Sequence, residues 1–264
     1  MLVVVALDAL VLGRRGALAR LLALGPSARL DVFTWLLAFV NAGLVLPVVL
    51  TAGLAAVGPS WAAARGPDLF GWLSHPALRF VVVVIAIDFL RYWAHRLQHR
   101  NRILWRFHAM HHTATEFTVI TGRRIHPVEK IVDLTIVTVP LALVGASLPE
   151  LVAGIVVVRL IDLPQHSMLD WTYGPVGRWL LFSPVGHRIH HSPHRHQWDT
   201  NFGDLCPLWD HLFGTWYDGD DVNTEIGLTG SPPAGIAASL LTPFGEAWDD
   251  LTGRWRRRPA APRA

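Results

Sequence analysis

Charge and cysteine are what this sequence has least of. Cys206 is its only cysteine, so an intrachain disulfide and a thiolate-rich metal site are both excluded. Lys130 is the only lysine, and charged residues make up 16% of the chain, against roughly 25% in an average soluble domain. Hydrophobic residues reach 52%, and the mean hydropathy is +0.34. This composition indicates a membrane protein and disfavours the alternative, a soluble protein with a large core.

The basic residues are almost all arginines, and the sequence pI is about 9.6. A basic balance is also typical of nucleic-acid-binding proteins, but here the arginines stand beside apolar segments and form no soluble basic stripe. The positive-inside rule for membrane proteins explains that placement better. We therefore expect no nucleic-acid partner.

Long apolar runs predict where the chain meets a bilayer. Four segments qualify, at about residues 30–57, 76–94, 131–144 and 148–163. A full span needs about 20 apolar residues, so the last two form a hairpin that either crosses at a tilt or only enters the bilayer. Arginines precede the first segment and follow the second and fourth, whereas Arg65 is the only one between the first two. Four crossings with both termini in the cytoplasm satisfy the positive-inside rule.

The 14 histidines give the most specific signal in the chain. Eight of them fall into three clusters whose spacing places the imidazoles on one side of a helix: His95 and His99; His108, His111 and His112; His187, His190 and His191. One ion cannot use eight nitrogens, so the pattern predicts two first-row transition metal ions, each with an open position. A structural zinc site is normally a single closed tetrahedral centre. A histidine-based pH sensor is a further interpretation.

Other residues are predicted to support this site. Asp88 and Tyr92 share a helix face with His95, and Asp88 is expected to pair with an imidazole N–H or with Arg91. Asp199, Thr200, Asn201 and Gly203 predict a tight turn, which Trp209, Phe213, Gly214 and Trp216 are expected to pack, with Asn201 and Asp210 as supporting residues. His194 and His196 are assigned to loop or supporting positions and His75 to the surface.

Six motifs between about Asp88 and Trp216 resemble the fatty acid hydroxylase/sterol desaturase superfamily of integral membrane di-metal enzymes. In chain order they are DFLRYWAHRLQH, LWRFHAMHH, RRIHP, QHS, SPVGHRIHHSPH and DTNFGDLCPLWDHLFGT. The resemblance implies an all-α fold, with about four transmembrane helices beneath a cytosolic helical cap that carries a histidine-rich di-metal site. It divides the chain into an N-terminal hydrophobic region (1–75), a catalytic domain (76–216) and a C-terminal segment with a basic tail (217–264).

The same resemblance implies roles for particular histidines. It implies metal ligation by the eight clustered histidines and adds His166, in QHS, as a ninth ligand. His126, in RRIHP, is a weaker candidate. Met168 stands where the family often has asparagine, and His211 stands where a basic residue is common, so a structural or substrate-contact role is expected for His211.

The implied chemistry is the oxidation of an unactivated C–H bond of a membrane lipid, such as a fatty acyl chain, a sterol or a related isoprenoid. Two iron ions and O₂ would be used, with zinc as an alternative metal in the purified protein. Hydroxylation is preferred, and desaturation at the same centre remains the alternative. The chain contains no CxxCH, GxGxxG or cysteine cluster, so a separate electron donor is expected, either a ferredoxin or a cytochrome with its reductase.

The sequence disfavours two other classes of protein. A metal transporter or storage protein should carry polar residues through the middle of several spans. In its middle the first segment has only Asn41 and Thr51, and the polar residues Arg159 and Asp162 of the fourth stand near its end, so no such path is indicated. A non-catalytic relative with a structural metal is disfavoured because all eight motif histidines are present.

Overall fold

The structure is a computed structural model that describes residues 2–40, 68–222, 225–230 and 233–253. Over these residues it contains helices and no strand, which confirms the all-α prediction. Most of the first predicted membrane segment lies outside the described residues, including Asn41 and Thr51. Arg65 and the arginines of the basic tail, from Arg254 to Arg258, also lie outside them.

The N-terminal region forms three helices: α1 (Leu2–Leu12), α2 (Ala17–Ala23) and α3 (Pro26–Val40). The buried carboxylate of Asp8 accepts a hydrogen bond from the backbone N–H of Ala17, where α2 begins. In the described part of the chain, no single helix is both long and apolar enough to cross a membrane. The bent pair Ala17–Ala23 and Pro26–Phe39, with 97° between its helices, meets that requirement jointly. The four crossings stay a prediction.

A sharp corner between two helices brings the first two histidine clusters face to face. The long helix α4 (Pro76–Arg100) ends at Asn101, and α5 (Arg102–His112) follows at once. The Asn101 side chain accepts hydrogen bonds from the N–H groups of Ile103 and Leu104, at 3.0 and 3.1 Å. This N-cap satisfies two donors that the start of α5 would otherwise leave unpaired.

The helical hairpin predicted at 131–163 is present. Its first arm comprises α6 (Pro127–Asp133), a π-helical turn (Leu134–Thr138) and α7 (Val139–Leu143), and its second arm is α8 (Leu148–Asp162). Ser147 and Glu150 form a reciprocal capping box at the start of α8. Gly154 lets α8 approach α4 closely, since a Cβ there would lie 2.6 Å from the Ile87 side chain.

The C-terminal half contributes four further α-helices to the described part of the chain. They are α9 (Gly174–Trp179), α10 (Pro184–His190), α11 (Leu208–Phe213) and α12 (Ile236–Leu251). Ion pairs hold α12 against α5, since the Asp250 carboxylate lies 2.8 Å from the guanidinium groups of both Arg102 and Arg106. The hydrophobic core lies between α4, the π-helical turn, α7 and α8, around Val83, Ile87, Val137, Leu151 and Val158.

Candidate metal centre

The fold brings nine histidines together in two adjacent groups. Within each group, one ring nitrogen of every histidine lies within 4.8 Å of the others. The first group contains His95, His99, His108, His112 and His190, and the second contains His111, His166, His187 and His191. All eight clustered histidines are included, together with the ninth that was predicted from the resemblance.

Both HxxHH motifs divide their histidines between the two groups. On α5, His108 and His112 are one turn apart and share a face that serves the first group, whereas His111 points to the second. At α10, His190 serves the first group, whereas His187 and His191 serve the second. Each motif therefore bridges two potential metal positions, which suits a pair of ions held side by side.

Polar contacts to Nδ1 orient several of the rings. Nδ1 of His95 lies 2.9 Å from the carbonyl oxygen of Phe202, and Nδ1 of His190 lies 2.7 Å from that of Thr200. A carbonyl oxygen can only accept, so Nδ1 carries the proton in both rings and Nε2 keeps its lone pair. That is the tautomer in which Nε2 can ligate a metal.

Carboxylates lie beside three other rings, and sequence reasoning missed all three. Asp162 lies 3.1 Å from Nδ1 of His166, Glu129 lies 3.2 Å from Nδ1 of His108, and Asp199 lies 3.5 Å from Nδ1 of His99. A carboxylate beside a ligating imidazole raises its basicity and fixes its orientation. Only Asp162 could have been recognised from the sequence, because it stands four residues before His166, which is about one helical turn. Glu129 and Asp199 reach their rings through tertiary contacts.

The donor set fits a pair of transition metal ions. Nε2 of His95, His190 and His191 is buried without a hydrogen-bond partner, and orphaned buried nitrogens are costly unless something binds them. Nε2 atoms also approach one another closely, at 2.9 Å between His187 and His166 and 3.1 Å between His99 and His112. A cation between such lone pairs would satisfy them. An all-nitrogen set suits iron, copper, nickel or zinc better than magnesium or calcium.

Burial keeps these rings in the neutral form that metals bind. Desolvation, followed by repulsion from neighbouring imidazoles, holds the pKa of His111, His112 and His191 well below the usual histidine value. Aromatic rings exclude water from the same place. Trp105 lies with its ring centroid 4.9 Å from that of His99, and Phe117 lies 4.9 Å from that of His191.

The structure has its turn at residues 198–199, at the start of the stretch where a tight turn was predicted, and the residues that follow present a carbonyl to the site. Asp199 and Asn201 both adopt positive φ, at 57° and 58°, and asparagine and aspartate tolerate this conformation better than most residues. The Thr200 carbonyl between them is the one that contacts His190. The buried Asn201 side chain donates to the carbonyl of Gly186 at 3.0 Å and accepts from the N–H of Tyr217 at 2.9 Å.

Asp210 fixes the chain that follows this turn. Its two carboxylate oxygens accept from the N–H groups of Phe202 and Gly203, at 2.7 and 2.8 Å. Burial raises the pKa of Asp210 to about 6, and hydrogen bonds from Thr215 and the two N–H groups oppose that rise. Asp210 thereby positions the Phe202 carbonyl, which contacts His95.

Asp88 and Tyr92 form hydrogen bonds with residues between 205 and 215, and neither forms one with an imidazole. Asp88 was expected to pair with an imidazole or with Arg91. Instead its carboxylate accepts from the N–H of Leu205 and the indole of Trp209, both at 2.8 Å, because the 204–209 segment covers that face of α4. The Tyr92 hydroxyl lies 2.9 Å from the Thr215 hydroxyl.

The remaining histidines lie outside both groups. Nδ1 of His126 accepts from the Val128 N–H, so this side chain caps α6, and its Nε2 contacts the carbonyl of Leu240 at 3.0 Å. His211 stacks on Trp179 with ring centroids 4.0 Å apart, which fits the structural role. His194 stacks on His196 at the exposed 3₁₀ turn. His75 occupies the N-cap position of α4 without a side-chain capping hydrogen bond. Met168 packs against Ala114, Phe117 and Ile226.

A loop from residue 118 to 124 abuts the second histidine group. The N–H of Val119 donates to the carbonyl of His166 at 2.7 Å, and Val119 has a φ of 65°, which is rare for a β-branched residue. A Cβ on Gly122 would lie 2.9 Å from Nδ1 of His166, so only glycine fits beside that ring. The loop is anchored by Arg124, whose guanidinium lies 2.7 Å from the carboxylate of Asp31 on α3.

A network of paired charges underlies the centre. Arg91 on α4 contacts Asp204, and it also lies 3.4 Å from Asp133, which ends α6. Arg159 on α8 lies 3.7 Å from Asp133 and 3.5 Å from Asp162. Because Asp162 also contacts His166, this chain of ion pairs connects three helices to the second histidine group.

Sequence comparison identifies the class of protein that this arrangement defines. Residues 80–215, about half of the chain, match the fatty acid hydroxylase family. The chain belongs to that family, which confirms the resemblance seen in its motifs. Every member of the two histidine groups lies within the matched region.

Three individual proteins show which enzymes the chain is similar to. The chain is 36% identical to the ornithine lipid hydroxylase OlsE of Rhizobium tropici, over 64% of this chain and 51% of that protein. It is 30% identical to the human alkylglycerol monooxygenase, over 55% of this chain and 32% of that protein. It is 26% identical to the very-long-chain aldehyde decarbonylase GL1-7 of Oryza sativa, over 61% and 26%. The chain thus spans about half of the first relative and a third or less of the other two. No solved structure matches it significantly.

Proposed function

We propose that this protein is a membrane-bound di-iron oxygenase that hydroxylates an unactivated C–H bond of a lipid. O₂ is the co-substrate, and electrons come from a separate donor, a ferredoxin or a cytochrome with its reductase. The observation that carries the proposal is the division of nine buried histidines into two adjacent groups. A single structural ion would need only one of them.

The two ions, once bound, would supply the binding and reductive activation of O₂. The chain's own part is to hold the ions and to keep the site dry. The first group would hold one ion, and the Phe202 and Thr200 carbonyls fix two of its rings. The second group would hold the other, with Asp162 fixing His166. No side-chain nucleophile or general base is required for this chemistry.

The names of the relatives favour a lipid substrate and hydroxylation. One is a hydroxylase of ornithine lipid and another a monooxygenase of alkylglycerol. A cavity of about 120 Å³ lies between α5 and α12, and Trp105, whose ring packs on His99, forms part of its wall. Its lining is mixed, with Met110, Leu228 and Pro243 beside Arg106 and Glu246.

The surface of the hairpin supports a membrane location, as the composition does. On α8, Val152, Val156 and Leu160 form one exposed apolar face, with 54%, 50% and 56% of each residue accessible. Contiguous exposed apolar surface of this kind marks contact with lipid or protein. The arginine distribution supports a multi-pass protein with its metal site on the cytoplasmic side.

Metal content is the direct test. The protein would be purified in mild detergent from iron-supplemented cells, without a polyhistidine tag or chelator, as wild type and as His111→Ala and His190→Ala. His194→Ala is the matched control, because this histidine is exposed and lies outside both groups. We expect about two irons per chain in the wild type and the control, and substantially less in both variants.

Two further results decide the chemistry. Two zinc ions in place of iron would still support a two-metal site. Iron would then have to be reconstituted before activity is measured. Lipids from cells that express wild type or His111→Ala, grown under ¹⁸O₂, should differ by labelled hydroxylated species. Absence of stoichiometric metal, or metal content indifferent to both substitutions, would overturn the proposal. Products with an added double bond and no label would replace hydroxylation with desaturation.

A further inference from the structure

Helix α12 carries an apolar stripe on its outer surface. The stripe consists of Leu241, Phe244, Trp248 and Leu251, which are 68%, 51%, 59% and 64% exposed. Their spacing of three or four residues places them along one side of the helix. An exposed aliphatic and aromatic row of this length is unusual on a water-facing surface.

The opposite side of α12 is fixed to the protein, so the stripe faces outward. Ser239, Pro243 and Ala247 are buried. Asp250 pairs with Arg106 at 2.8 Å, and Glu246 lies 3.4 Å from the same guanidinium. Because these contacts hold the rotation of α12 about its axis, the stripe cannot turn inward without breaking them.

The stripe adjoins the helix that begins the third predicted membrane segment. The carbonyl of Leu240 lies 3.0 Å from Nε2 of His126, and the Phe244 ring centroid lies 5.5 Å from that of the same histidine. His126 caps α6. Further along that helix and its π-helical turn, Ile131 and Leu134 are 63% and 47% exposed. The apolar surface of α12 therefore lies beside the point where the chain is predicted to enter the bilayer.

We infer that α12 lies in the headgroup region of the cytoplasmic leaflet, with the stripe inserted into anionic lipid. The inference rests on the proposed membrane location of the enzyme. Charge favours lipid over a second copy of the chain: the sequence directly after α12 reads RWRRR from Arg254, which anionic headgroups attract and which a second copy would repel. Trp248 suits the same environment, since indole rings favour the bilayer–water interface.

Spin labelling of the full-length protein tests the inference. Cysteines for a nitroxide label would replace Phe244 and Leu251 on the stripe, and Thr242 on the exposed flank, each in a Cys206→Ser background. The labelled proteins would be placed in nanodiscs of phosphatidylcholine and phosphatidylglycerol. Accessibility to O₂, which concentrates in the bilayer, would be compared with accessibility to a water-soluble nickel chelate.

We expect the stripe labels to be shielded from nickel and accessible to O₂, at a depth of about 5–10 Å below the headgroup boundary. The Thr242 label should remain accessible to nickel. Stripe labels as accessible to nickel as the Thr242 label would overturn the inference. Spin–spin broadening between stripe labels would also overturn it, because a second copy would then cover the stripe.

Metal content in the same nanodiscs separates the two proposals. About two irons per chain together with water-exposed stripe labels would refute the membrane docking of α12 alone. Membrane-buried stripe labels in a protein that binds no metal would support the docking and refute the oxygenase.

Discussion

Replacing Asp31 by asparagine should weaken the metal centre from outside the family-matched region. The Asp31 carboxylate is fully buried and accepts hydrogen bonds from Arg124 at 2.7 Å, Thr118 at 2.6 Å and Thr121 at 2.8 Å. These three donors belong to the loop whose backbone and Gly122 contact His166. Asp31→Asn removes the negative charge and leaves the Arg124 guanidinium buried with no anionic partner among its contacts.

The expected loss of stability follows from the burial of the ion pair between Asp31 and Arg124. Arg124 and Asp31 expose 1% and 0% of their side chains, and breaking such a pair from one side costs about 3–5 kcal/mol. In a domain of this size, that loss lowers the Tm by on the order of 10 °C. Since the loop contacts His166, we also expect iron to be lost preferentially from the second histidine group.

The assay compares thermal unfolding in detergent with iron content. Asp218→Asn is the control, because Asp218 pairs with Arg178 at 2.6 Å on the surface, where an ion pair contributes only about 0–1 kcal/mol. Replacing Asp31 and Arg124 together by leucine and methionine should restore part of the lost stability, since no charge is then left buried. Unchanged Tm and full iron content in Asp31→Asn would refute the reasoning.

Three further substitutions test the surroundings of the site. Gly122→Ala should displace His166 and lower iron content, whereas Gly25→Ala, where an added Cβ meets no atom within 4 Å, should leave it unchanged. Asp162→Asn should lower metal affinity about 10- to 100-fold, measured by competition with a chelator, because the imidazole loses its carboxylate partner. Asp210→Asn should cost about 1–3 kcal/mol in thermal unfolding, since one backbone N–H would face an amide NH₂.

Local patterns in the sequence predicted the long helix α4, both arms of the hairpin and the histidines that the fold brings together. Proline and the Ser147–Glu150 capping box mark where α8 begins, and the apolar runs fix both arms of the hairpin. Histidines four residues apart share a group, as their spacing predicts, whereas those three residues apart are divided between the two groups. The π-helical turn after Asp133 had no recognised signal, because the residues there differ little from those of an ordinary α-helix.

The contacts that orient the ligands were much harder to predict. Asp88 shares a helix face with His95, yet its carboxylate accepts hydrogen bonds from residues of the 204–209 segment. The sequence of α4 gives no indication that this segment packs there. The division of each HxxHH motif between two groups depends on how α5 and α10 face one another. Periodicity within one helix gives the direction of a side chain, but not what stands opposite to it.

The metal centre depends on more of the chain than the motifs indicate. The family match begins at residue 80, and the motif resemblance implies a domain boundary at residue 75. Yet Asp31 holds the loop against His166, and α12, beyond the matched region, pairs with the arginines of α5. These flanking segments include a buried ion pair on one side and the lipid-facing stripe on the other. Variation in them can therefore change stability and access to the site while every histidine is retained.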